Sequence, residues 1–170
     1  MATDTSKNRM RYRFIVLGVS ILVSLAGYFA LKAQFIPKLE LTTLTGQTVT
    51  LGQTNKKLTL LTFWASNCHN CLAEIPQLKK LHQQYHGQGF QVIGVVVHYD
   101  RPDKVLAIVK KEKISYPIVF DVQKKIMRVF GLTRALTPDN YLILPNGKIV
   151  YHQLGLLDFK QLKATILANL

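Results

Sequence analysis

The sequence predicts an α/β domain, a central mixed β-sheet flanked by helices, with an N-terminal β-hairpin and, ahead of it, one N-terminal transmembrane helix. Three observations carry this. From residue 58 onward, short apolar runs rich in β-branched residues alternate with stretches of helical period, the pattern of strands joined by crossover helices. Near the C-terminus, Pro145-Asn146-Gly147 joins two further strand-like runs and so adds antiparallel strands. Phe14–Leu31 is an 18-residue run without charge that follows a basic N-terminus. At 170 residues the chain has room for one domain with its own core.

Taken in order, residues 1–13 form a basic segment in which Lys7, Arg9, Arg11 and Arg13 crowd ahead of the apolar run. Lysine and arginine stay on the cytosolic side of a membrane, so the N-terminus is expected to be cytoplasmic, residues 14–31 an anchor, 32–37 a linker, and 38–170 an extracytoplasmic domain. Ser24-Leu25-Ala26 offers a small-x-small cleavage site, and removal of the segment is the alternative. The net charge of +13 raises the question of nucleic acid. The lysines beyond residue 40 are scattered and no nucleic-acid motif accompanies them, so a solvated basic surface is expected and no nucleic-acid partner.

Within the domain, Lys38–Leu41 and Gln47–Leu51 alternate polar and apolar around Thr45-Gly46, a short hairpin at a sheet edge. Leu58–Phe63 is continuously apolar, as in a strand buried on both faces. Leu72–Tyr85 places Ile75, Leu78, Leu81 and Tyr85 on one helix face, with a kink expected at Pro76. Gly87 and Gly89 stop it. Phe90–Val97 is a second buried strand, and Pro102–Lys111 a helix with Val105, Leu106, Ile108 and Val109 as its apolar stripe. Tyr116–Phe120 is a strand, Val122–Phe130 a helix stopped by Gly131, and Asn140–Leu144 with Lys148–His152 the terminal hairpin. Asp158 caps a last helix through Leu170.

The chemistry centres on Cys68 and Cys71, the only cysteines, placed where the Leu58–Phe63 strand gives way to a helix. A structural disulfide across two residues closes too small a loop to add much stability. Structural zinc needs four ligands, and no second C-x-x-C is present. Redox chemistry remains, with no metal or cofactor expected. Cys68 meets the unpaired N–H groups and dipole of the helix start, worth up to about 2 kcal/mol to a thiolate, and about 1.4 kcal/mol is one pKa unit. It is therefore the expected nucleophile, and Cys71, one turn inward, the resolving thiol. A protonated His69 would favour the thiolate further. Glu74, three residues after Cys71, can take the proton from that thiol, or can serve only as a carboxylate in the helix dipole. His82 and His86 stand i, i+4 apart but lack a third ligand and are expected to be solvated, as are His98 and His152.

Phe63-Trp64-Ala65-Ser66 ahead of C-x-x-C, followed by Ala73-Glu74-Ile75-Pro76, resembles the TlpA-like branch of the thioredoxin superfamily. Tyr116-Pro117-Ile118-Val119 and Leu136-Thr137-Pro138 fall in that branch's order. The resemblance implies a thioredoxin-like fold and a membrane-anchored thiol–disulfide oxidoreductase of the bacterial periplasm, held in the inner membrane. Its partners would be protein thiols and disulfides and a membrane thiol electron donor or acceptor. Cytochrome c maturation and copper tolerance are among the branch's roles, and the layout is most similar to the suppressor-of-copper-sensitivity thioredoxin-like subgroup. The resemblance also implies that Pro138 is a cis-proline facing the cysteines. Thr62 stands where thioredoxins carry a buried Asp, Asn67 replaces the usual Trp, and the His69-Asn70 dipeptide differs from theirs. A reductase is the expected direction. A copper(I) carrier using the same cysteines plus a histidine as ligands, and a dithiol oxidase or isomerase, are the alternatives.

Overall fold

The computed structural model describes residues 13, 15–21, 24, 35–53 and 56–170. The anchor expected over 14–31, and with it the inner-membrane and periplasmic placement, is corrected here. Among the described residues no helix is long and apolar enough to cross a membrane. Of the expected span, 15–21 and 24 are described, as helix. The rest of it, and the basic segment apart from Arg13, lie outside the described residues. The chain divides after Gln34, and the unit Phe35–Leu170 holds all that follows.

That unit begins with β1 (Leu39–Thr42) and β2 (Thr48–Leu51), which pair antiparallel. They form a two-stranded sheet of their own rather than an extension of the main one. Links to the main sheet include the Leu44 N–H, which donates to the Ile118 carbonyl at 2.8 Å, and the Gln91 side-chain amide, which donates to the Thr50 carbonyl at 3.5 Å. The main sheet has five strands in the order β5-β4-β3-β6-β7: β3 (Leu58–Trp64), β4 (Phe90–Val96), β5 (Ile118–Phe120), β6 (Asp139–Ile143) and β7 (Ile149–Leu154). β3, β4 and β5 run parallel, and β6 and β7 are antiparallel additions. All seven residues of β3 and of β4 are buried, which is why their sequences read as unbroken apolar runs.

Side-chain alternation sends Leu60 and Trp64 to one face and Leu61 and Phe63 to the other. The first face packs α1 (His69–Tyr85), α2 (Pro102–Lys111) and α4 (Phe159–Leu167); the second packs α3 (Lys125–Val129) and the β1–β2 pair. Several boundaries differ from the periodic reading, each for a local reason. α1 starts at His69, because the Cys68 sulfur caps it and its first residues are polar and carry no apolar period. α3 starts at Lys125, because the buried Asp121 carboxylate accepts the Ile126 and Met127 N–H groups at 2.9 and 2.8 Å and closes the preceding residues as a turn. In α2 only Val105 is fully buried, and Leu106 points to solvent. Asp158 caps α4 as expected, accepting from Lys160 and Gln161.

His82 is not solvated. It is 7% exposed, and its Nδ1 accepts the Val92 N–H at 3.1 Å, seating α1 on β4. Burial first, then His86 and Lys57, push its pKa down to about 4. A histidine held neutral in the fold contributes stability above its unfolded value, near 6.5, that is lost as pH falls toward 4. Stability against urea is expected to fall by on the order of 3 kcal/mol between pH 7 and pH 4 through this group. His82→Gln should flatten that part of the profile; a profile that stays unchanged would refute the assignment.

Candidate redox site at the start of α1

β3 ends at Trp64, and Ala65–Cys68 form a turn closed by the Cys68 N–H to the Ala65 carbonyl at 3.1 Å. The turn delivers Cys68 to the N-cap of α1 in extended conformation. Cys68 and Cys71 are joined as a disulfide with Cα atoms 5.3 Å apart. Cys68 is half-buried, while Cys71 is 3% exposed. The Cys71 N–H points at Cys68 Sγ at 3.2 Å, so one of the helix's free N–H groups addresses the outer sulfur.

Glu74 lies one turn beyond Cys71, on the buried face of α1, and is 2% exposed. The loop after β7 supplies its one anchor: the Leu157 N–H donates to Oε1 at 2.5 Å. Oε2 is buried without a hydrogen-bond partner. Burial therefore pushes the Glu74 carboxyl up from its ordinary value, and the Leu157 bond offsets part of the rise. Its surroundings respond in turn. The Tyr116 hydroxyl is pushed up by burial and then by the Glu74 charge, and Glu74 also contributes to the rise at Tyr151.

The Thr137–Pro138 peptide bond is cis. Asp139 pairs in register with Phe63, and the Gly155 N–H donates to the Pro138 carbonyl at 2.8 Å. Pro138 therefore sits beside the Trp64 end of β3, at the edge that carries the cysteines. Thr62, 3% exposed, lies in register with Gly94 and Asn140, so no carboxylate occupies that strand position. Among the described residues no group of three or more His, Cys, Asp or Glu side chains is placed to hold a metal.

Two features escaped the periodic reading. Ser66 is held by Asp100 from the β4–α2 loop, and Asp139 accepts bonds from Tyr141 and His152, both at 2.8 Å. The Ser66–Asp100 and Asp139–His152 contacts join residues 34 and 13 apart in sequence. An acidic residue at a strand end was the only sequence signal for either.

A disulfide at the start of a helix, across a sheet edge from a cis-proline, on a mixed five-stranded sheet, defines a protein of thioredoxin-like fold. The AhpC/TSA family model matches residues 33–152, and the chain belongs to that family. It is 27% identical over 161 residues to thiol-disulfide oxidoreductase ResA of Bacillus thuringiensis (strain Al Hakam), covering 88% of this chain and 90% of the relative. It is 26% identical to sporulation thiol-disulfide oxidoreductase A of Bacillus subtilis (strain 168), covering 79% and 78%. The solution structure of a thiol:disulfide interchange protein from Bacteroides sp. superposes with a TM-score of 0.64 at 25% identity, covering 78% of this chain and 86% of that one.

A carboxyl raised in the fold contributes fully below its unfolded value, near 4.5, and loses that contribution as pH rises through the folded value. Glu74→Gln keeps an oxygen for the Leu157 N–H and carries no charge. Its melting temperature relative to wild type is expected to be higher at pH 8 than at pH 4; a difference independent of pH would show that Glu74 is not desolvated.

Proposed function

We propose that this chain is a reductase of protein disulfides, with its catalytic unit in residues 38–170. It is a thiol–disulfide oxidoreductase, consistent with its family, its fold and its paired cysteines. The observation that carries the direction is Glu74: a buried carboxyl one turn from Cys71, with one oxygen on Leu157 and the other unpartnered. A thiolate beside such a group is disfavoured both by burial and by charge, so the dithiol gives up its electrons readily.

In the reduced form the Cys68 thiolate attacks one sulfur of a substrate disulfide. The substrate S–S bond breaks, a Cys68–substrate mixed disulfide forms, and the first substrate sulfur leaves as a thiolate. Glu74 takes the proton of Cys71, whose sulfur then attacks Cys68 Sγ. The internal disulfide forms and the second substrate thiolate departs. Two electrons pass from this chain to the substrate, and a dithiol protein donor returns them by the same exchange in reverse. Pro138 would shape the groove in which the substrate strand lies, beside the attacked sulfur.

Cys71→Ser is expected to accumulate a mixed disulfide with a disulfide-containing protein substrate, and Cys68→Ser none, on non-reducing gels. Accumulation in the Cys68→Ser variant would reverse the assignment of the two sulfurs. With both cysteines present, Glu74→Gln should slow resolution of the mixed disulfide by about tenfold or more, within the usual contribution of a positioned base. Resolution rates unchanged from pH 5 to pH 9 would remove Glu74 from the reaction.

A further inference from the structure

Asp100 lies in the loop between β4 and α2, one residue ahead of the α2 N-cap, where an acidic side chain is close enough to be expected to serve that helix start. It does not do so here. The N-cap of α2 is Arg101, with no side-chain capping bond and Pro102 opening the helix. The Asp100 carboxylate reaches instead across 34 residues of sequence to the turn that carries Cys68. Oδ2 accepts the Ser66 N–H at 2.5 Å, and Oδ1 accepts the Ser66 hydroxyl at 2.6 Å and the Arg101 N–H at 2.8 Å.

Ser66 is the second residue of the Ala65–Cys68 turn, whose ends lie within about 7 Å of each other. Parallel pairing of β3 with β4 makes the reach possible, because Trp64 and Val96 end the two strands side by side and the Val97 N–H donates to the Trp64 carbonyl at 3.2 Å. The neighbouring cation is turned away: both the Nε and Nη2 groups of the Arg101 guanidinium bond Asp103, at 3.1 and 2.8 Å. Further titratable groups on the adjoining segments are His69, exposed beside Cys68, Glu74 on the first turns of α1, and His98 and Tyr99, whose rings meet edge-on at 5.2 Å.

We propose that Asp100 is a positioning residue for Cys68, clamping the turn through Ser66 and holding a negative charge on that turn, two residues from the nucleophile. Two opposing influences then act on the Cys68 sulfur. The Cys71 N–H and the helix start favour the thiolate, and the Asp100 charge disfavours it. The carboxylate thus keeps Cys68 from becoming too stable a leaving group, and the cysteine pair more reducing. This inference deepens the reductase reading and rests on it for its biological sense, not for its measurement.

Asp100→Asn removes the charge while its amide can still accept the Ser66 N–H and donate to the Ser66 hydroxyl. Ser66→Ala removes the hydroxyl bond and keeps the charge. Asp100→Ser is a second uncharged replacement, should the asparagine variant not fold. The Cys68 pKa, read from thiolate absorbance, is expected to fall by about half a unit to one unit in Asp100→Asn. The disulfide–dithiol equilibrium against glutathione should shift about threefold toward the dithiol, or about 14 mV at 29.6 mV per tenfold. Ser66→Ala should change either quantity by less than half as much. An uncharged variant that matches wild type in both readouts overturns the proposal, and so does a Ser66→Ala variant that reproduces the full shift. The wild-type potential is read separately: an oxidising wild type with an intact variant shift would defeat the reductase reading and leave the Asp100 assignment standing.

Discussion

The parallel pairing of β3 with β4, in register from Leu58 with Phe90 to Trp64 with Val96, is the constraint on which the site depends. Parallel strands end at the same edge, so the turn after β3 and the loop after β4 emerge side by side. That edge also receives the start of antiparallel β6, because Asp139 registers with Phe63. One pairing scheme therefore assembles the cysteine turn, the Asp100 loop and the cis-proline from three distant parts of the chain. Burial of every residue in both strands makes the register costly to slip, since a one-residue shift would exchange the two faces of the core.

Against this rigid edge, the chemistry is set by what is left unsatisfied. Glu74 is a carboxyl in an apolar layer with a single hydrogen bond, and an isolated buried charge is expensive. The Leu157 bond offsets part of that cost, and the rise that burial causes makes the Glu74 carboxylate a stronger base than an exposed one. Thr62 supplies no acid from the strand beneath. In the proposed mechanism the helix bearing Cys71 supplies it instead, as Glu74, which would tie the proton acceptor to the same rigid element as the thiol it serves. The loop after β7 completes the arrangement through Leu157 and links the far edge of the sheet to the redox centre.

Much of this was legible from residue patterns. Period-two and period-3.6 runs located every strand of the main sheet and the helices between them, because burial of one or both faces writes itself directly into the sequence. The C-x-x-C at a strand–helix junction, and a Glu three residues on, marked the candidate site. What the patterns missed has physical causes. Asp121 and Cys68 set helix starts through side-chain bonds that leave no apolar period. His82 looked like a surface histidine because its partner is a backbone N–H of another strand. The Ser66–Asp100 clamp depends on strand register, which no local window contains. The apolar run at 14–31 met the length rule for a bilayer, yet no membrane-crossing helix stands among the described residues.

The reduction potential of the Cys68–Cys71 pair tests the central claim most directly, because burial of Glu74 and the charge of Asp100 both act to destabilise thiolates in the reduced form. Equilibration of the wild-type protein with glutathione at pH 7 should give a value near that of thioredoxin, about −270 mV. A value near −120 mV, that of a strong dithiol oxidant, would contradict the account.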